Sequence, residues 1–267
     1  MKKYIIIISI IILAGLAWVY KNRGPELLEV DLPVAQEYED FIDREEIIED
    51  VDQDMEIVEV EESEEVVDSE PILPPQPEVS SINLAVPFTS QAPTSNWEQP
   101  FQDACEEASV LMVDHYYQNK NFPDKKVVED ILIKMVDWQD DFMNGTYDIT
   151  IGETSQLARE FFGYKTELVP DLTVAKIEAL LREGIPVIVP ANGKKLDNPN
   201  FRNGGPEYHM LVIKGFAENK FITNDPGTRL GADFIYTYEN LMYSIADWNQ
   251  KESLAVGPKI GLVLYKD

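Results

Sequence analysis

The sequence predicts an α+β domain over residues 83 to 267, and three observations lead to it. Apolar residues recur at helical spacing from Cys105 to Arg182. β-branched and aromatic runs then dominate from Ile185 to the end of the chain. Helices segregated from strands in this way give helices packed on a mostly antiparallel sheet. The 185 residues of this stretch suffice for one domain with a substantial core.

What precedes the domain has a different character. Lys2 and Lys3 introduce an unbroken apolar run from Tyr4 to Tyr20, followed by Lys21 and Arg23. At ~1.5 Å per residue the run reaches roughly 25 Å, slightly short of a hydrocarbon core, and flanking lysines can cover the difference. Residues 1–24 are therefore expected to be a transmembrane anchor or, since Gly15 and Ala17 are small, a cleaved signal peptide. Either assignment exports the rest of the chain, so a membrane-anchored, extracytoplasmic domain is expected.

Residues 25–82 read as an acidic, Pro-rich disordered stalk. From 26 to 70 there are 21 acidic side chains against Arg44 alone, and Pro71 to Val79 adds a stiff spacer. This stretch holds most of the chain's net charge of −27, leaving about −10 on the domain. Such acidity argues against nucleic acid as a partner.

Within the domain, Cys105 to Asn119 places Ala108, Leu111, Met112, His115 and Tyr116 on one helix face. Lys125 to Trp138 is a second helix, and Glu153 to Phe162 a third, closed by Gly163. Val174 to Arg182 is a fourth, with Thr173 as N-cap and Gly184 just past its end. The runs "IPVIVPA", "HMLVIKGF", "KFITN" and "IGLVLY" read as strands, and "YENLMYSIADW" as a short helix between the last two.

Cys105 is the only cysteine, so it forms neither an internal disulfide nor a zinc cluster. It opens a helix, where unpaired N–H groups and the dipole favour a thiolate. Its polar neighbours Gln102, Asp103, Glu106 and Glu107 argue against burial. Only two histidines could serve as its base. His115 lies about 15 Å away along the same helix by rise alone and is expected on a helix face with a local hydrogen bond. His209 opens a strand beside a Gly/Asn/Pro-rich loop. If the next hairpin turns at Ala217, His209 faces Asp225 directly, and an aspartate there can orient the imidazole. Asn224 is the reserve orienter if the register slips by one, though it would point to the opposite side.

The stretches "VPFTSQAP", "NWEQPFQDACEEAS", "LLREGIPVIVPA", "YHMLVIKGF" and "FITNDPGT" resemble papain-like cysteine peptidases of the double-glycine, bacteriocin-processing kind, in their stand-alone exported branch. The resemblance spans residues 84 to 265. It implies a papain-like fold, a Cys105–His209–Asp225 triad, and a glutamine that donates to the oxyanion from upstream of the cysteine. Gln91, Gln99 and Gln102 compete for that role. Gln99 has the spacing usual in papain-like enzymes, whereas Gln91 ends the short "VPFTSQ" unit that carries the donor in the resemblance, and Gln91 is preferred. The "CEE" at the nucleophile departs from the frequent "CG".

The expectation is thus a monomeric cysteine peptidase acting on a peptide or protein substrate through an acyl-enzyme, without metal or cofactor. Trp97, Trp138 and the loop from Asn192 to Tyr208 are expected to line its cleft. A surface peptide-binding module without catalysis and a cell-wall transpeptidase are the alternatives. A sortase is disfavoured because its histidine precedes its cysteine.

Overall fold

Helix starts fall where the sequence offers side-chain caps. The computed structural model describes residues 27–42, 80–143 and 147–266. Its main helices before the central strands are α1 (Cys105–Tyr117), α2 (Lys125–Met143), α3 (Ile151–Leu157) and α4 (Val174–Arg182). Thr150 and Glu153 cap α3 reciprocally, and Thr173 accepts from the Lys176 N–H at 3.2 Å to start α4. Both satisfy donors that have no partner in a first helical turn. α3 continues as a π-helical turn, Ala158–Phe162, and ends at Gly163 with φ +85°, a left-handed conformation suited to glycine. α1 differs, since Ala104 before it provides no side-chain cap.

The sheet comprises β1 (Ile82–Asn83), β2 (Lys165–Pro170), β3 (Val187–Ala191), β4 (His209–Ala217), β5 (Lys220–Asn224), β6 (Phe234–Thr237) and β9 (Ile260–Tyr265). Their order is β2-β9-β3-β4-β5-β6, antiparallel throughout, with β1 pairing β4 where β3 no longer covers it. A separate hairpin joins β7 (Trp248–Asn249) to β8 (Leu254–Ala255). Two short helices, α5 (Gly193–Leu196) and α6 (Tyr238–Ser244), flank the strands. The expected α+β class and antiparallel sheet are observed.

β3 and β4 are buried along their whole length, which accounts for their near-continuous apolar sequence. All thirteen residues of α1 are buried as well, Glu106, Glu107 and Asp114 included. α1 is therefore a central helix against β4, not the one-faced helix expected from its periodicity. β2 was not anticipated. It is an edge strand with mostly exposed side chains, so it carries no apolar alternation to announce it.

Residues 27–42, assigned to the stalk by composition, lie against the domain. Gln36 donates its N–H to Asn83 at 2.8 Å and accepts from the Ala85 N–H at 2.7 Å. Tyr38 packs edge-on against Tyr117, ring centres 4.7 Å apart. Phe41 is buried over Gly184, where an added Cβ would come within 2.5 Å of its ring. The acidic run 43–79 thus connects two segments that both touch the domain. Removing residues 1–26 should leave thermal stability unchanged, whereas Phe41→Ala in the full chain should cost about 3–5 kcal/mol. A melting curve for Phe41→Ala that overlays the wild type would detach this strap from the fold.

Among the described residues no helix is long and apolar enough to cross a membrane. The apolar run Tyr4–Tyr20, where the anchor is expected, lies outside them.

Candidate active site

A β-bulge decides where Asp225 points. The hairpin turns at Glu218 and Asn219, which have φ +50° and +59°, and Ala217 pairs with Lys220. Extended without interruption, that register would set Asp225 opposite Val212, on the face away from His209. Between Gly215 and Ile213 the register shifts, so that Ile213 pairs with Thr223 and Val212 with Asn224. Asp225 then falls level with Leu211, on His209's face and two positions along. The direct opposition expected from the sequence is therefore incorrect, because the turn lies further on than assumed. The two side chains nevertheless meet diagonally, with His209 Nε2 2.7 Å from Asp225 Oδ1. Asn224 points the other way and donates to the Val86 carbonyl, as expected.

Asp225 is fully buried and accepts from four donors. Oδ1 takes His209 and the Gly227 N–H, and Oδ2 takes Tyr236 Oη at 2.6 Å and Asn198 Nδ2 at 3.1 Å. Burial by itself raises this carboxyl, but His209, Tyr236 and Gly227 outweigh it and hold it below the usual carboxylate range. An ionised carboxylate only accepts, so the proton between them sits on His209 Nε2, leaving the Nδ1 lone pair open. Gly227 leaves room for the ring; a Cβ there would stand 2.8 Å from His209 Cε1. Phe201 meets the ring edge-on at 5.2 Å.

Cys105, His209 and Gln91 line one cleft of about 680 Å³. Trp97 and residues 200–203, 205 and 206 also border it, whereas Trp138 does not and stacks on Phe142 instead. Cys105 opens α1 as expected, yet it is 3% exposed, against the reading of its polar neighbours. Glu106 and Glu107 are buried with it. The Cys105 thiol donates to Glu106 Oε2 at 3.0 Å. Burial first, then the Glu106 charge and hydrogen bond, push the thiol well above its ordinary value. This opposes the helix N-terminus, so the depressed thiol expected from position alone requires a cationic partner. His115 is no such partner: its Nδ1 lies 3.2 Å from the Leu111 carbonyl and its ring stacks on Phe122.

The three candidate glutamines separate. Gln99 is exposed, bonds Asp103 and stands outside the cleft lining. Gln91 is buried, its Nε2 donating to the Phe101 and Gln102 carbonyls at 3.1 and 2.7 Å. Its backbone N–H bonds Pro226, one residue past Asp225. Gln102 borders the cleft as well.

Sequence reasoning missed Glu106, Asn198 and Tyr236. "CEE" was the only signal for the first. Nothing local announces the other two, which reach Asp225 from distant loops and strands. Among the described residues no group of three or more His, Cys, Asp or Glu is placed to hold a metal.

The Peptidase_C39 like family matches this chain over residues 83–256. The chain belongs to that family. Its name indicates a peptidase, and the buried thiol facing a cleft with His209 agrees with a cysteine-dependent one. Among solved structures, a Bacillus anthracis protein proposed to be a C39-like peptidase is similar at 17% identity. That match covers 70% of this chain and 98% of the other, with a TM-score of 0.45. The curated proteins contain no match.

Proposed function

We propose that this C39-like domain hydrolyses peptide bonds through an acyl-enzyme formed on Cys105, acting as a monomer outside the membrane to which residues 1–24 anchor it. His209 Nδ1 takes the Sγ proton as sulfur attacks the carbonyl carbon, and returns it to the departing amine. Asp225 holds the ring with Nδ1 turned outward and stabilises the imidazolium. Water then attacks the thioester, again through His209. The observation that carries this reading is the His209–Asp225 bond at 2.7 Å on a histidine that shares a cleft with the only thiol.

The developing oxyanion is received by the Cys105 N–H and by Gln91, which exchanges its longer bond, to Phe101, for the substrate oxygen. Losing one such donor costs about 10²- to 10³-fold in turnover. Gln91→Ala should therefore cripple hydrolysis of a peptide library while a small electrophile still labels Cys105 at near wild-type rate. Normal turnover in Gln91→Ala, with that split phenotype in Gln102→Ala, would move the assignment. A Cys105 that no electrophile labels, in a chain that still binds peptides, would make the domain a binding module.

A further inference from the structure

Glu106 follows the nucleophile directly and is wholly buried. Its carboxyl touches the reacting atom: Oε2 is 3.0 Å from Cys105 Sγ. Its other oxygen is fixed, since Oε1 accepts the Ile149 N–H at 3.1 Å. The Ile149 carbonyl in turn accepts from Tyr208 Oη at 2.8 Å, and Tyr208 is the residue before His209. Ile149 therefore ties the nucleophile's neighbour to the base's neighbour.

Among the described residues, the groups facing Glu106 carry no cation. From its own helix come Cys105 and Glu107, from the segment before α3 come Asp148 and the Ile149 N–H, and from the approach to β4 comes the Tyr208 hydroxyl. Burial, Glu107 and Asp148, in that order, push this carboxyl well above the ordinary range, with the Cys105 and Ile149 bonds opposing.

We propose that Glu106 is a further catalytic residue, acting as a neutral carboxylic acid that donates its Oε2–H to the Cys105 thiolate. The inference rests on Cys105 being the nucleophile. When Glu106 is ionised the thiol donates and the carboxylate accepts; burial and the neighbouring carboxylates favour uptake of a solvent proton at Oε2, which reverses the bond. Two protons have to be present for the working state. One moves from Sγ to His209 Nδ1, and the other sits on Glu106 Oε2 and points at sulfur, with Oε1 still held by Ile149. When Glu106 loses its proton to solvent, the carboxylate accepts again, and the sulfur beside it is held as thiol. Activity is thereby confined to pH values at which the carboxyl is protonated.

The test is the pH profile of Cys105 alkylation by iodoacetamide in the full chain, read by mass spectrometry, with peptide hydrolysis followed in parallel. A hydrogen bond to a charged group is worth about ten- to hundred-fold. Glu106→Ala, which cannot donate, should slow alkylation by about that factor near neutral pH. Glu106→Gln offers an amide N–H in place of the acid; it should slow alkylation only several-fold and abolish the alkaline decline of the wild type. Profiles of both variants that superimpose on the wild type would overturn the proposal. So would an alkylation rate in Glu106→Gln as low as in Glu106→Ala. Alkylation needs no substrate, so a chain that shows these profiles without hydrolysing any peptide would count against the peptidase reading alone.

Discussion

His209→Ala should lower peptide hydrolysis by about 10⁴-fold or more, and it should also lower the melting temperature, because it leaves the buried Asp225 carboxylate without its imidazole. Asp225→Asn should come near the same loss by a different route. The carboxylate keeps a proton on His209 Nε2, whereas an asparagine amide can donate to that nitrogen and shift the proton to Nδ1. The ring would then present a hydrogen to the sulfur instead of a lone pair, as happens when an orienting aspartate is neutralised in a serine protease at a cost of about 10⁴. The fold should tolerate this substitution, since the remaining amide oxygen can still accept from Tyr236 and Asn198. Turnover in either variant within tenfold of wild type would remove His209 and Asp225 from the chemistry.

Glu107→Gln should stabilise the domain by a few kcal/mol at pH 8 and by almost nothing at pH 4.5. Glu107 is buried on α1 with Oε2 lacking any partner among the described residues. Burial, opposed by its own backbone N–H and reinforced by Asp103, Asp140 and Asp148, pushes its carboxyl up to about 8. The sign follows from proton counting. Below about pH 4.5 the folded and unfolded chains both hold the proton, so the group is neutral in the balance. Between about 4.5 and 8 the unfolded chain releases it and the folded chain does not, so stability falls as pH rises, by up to about 1.4 kcal/mol per pH unit. Above about 8 both have released it and the loss is complete. Glutamine removes this contribution, although Glu106 and Asp148, raised in the same direction, keep part of the slope. Equal stabilisation at pH 5 and pH 8 would show that Glu107 is ionised and solvated in the folded chain.

Acidic residues illustrate where sequence reasoning loses its grip. Charge normally marks a solvated surface, so Glu106 and Glu107 read as evidence that the start of α1 is wet. They are buried because α1 is covered by β4 on one side and by α2, α3 and the strap segment elsewhere. The same rule misassigned residues 27–42. Their acidic side chains face out, but Tyr38 and Phe41 point inward against α1 and Gly184. Composition averages over a window, and a short segment needs only a few anchors to dock.

The sequence by itself determined the α+β class, four of the helices with the Thr173 cap and the Gly163 end, the strands β3, β4, β5 and β9, and the choice of Cys105, His209 and Asp225 as candidates. These were legible because helical and strand periodicities are local and because scarcity does the choosing: one thiol and two imidazoles leave few pairings. Tertiary structure alone decided the register that turns Asp225 toward His209, through a one-residue bulge whose effect is to exchange sheet faces. It also decided the donors around Asp225, the exclusion of Gln99 from the cleft, and the carboxyl resting on the Cys105 thiol. Each depends on residues far apart in the chain arriving within a few ångströms. No local pattern encodes that, because the free energy that brings them together comes from burying the whole core and not from the residues that meet.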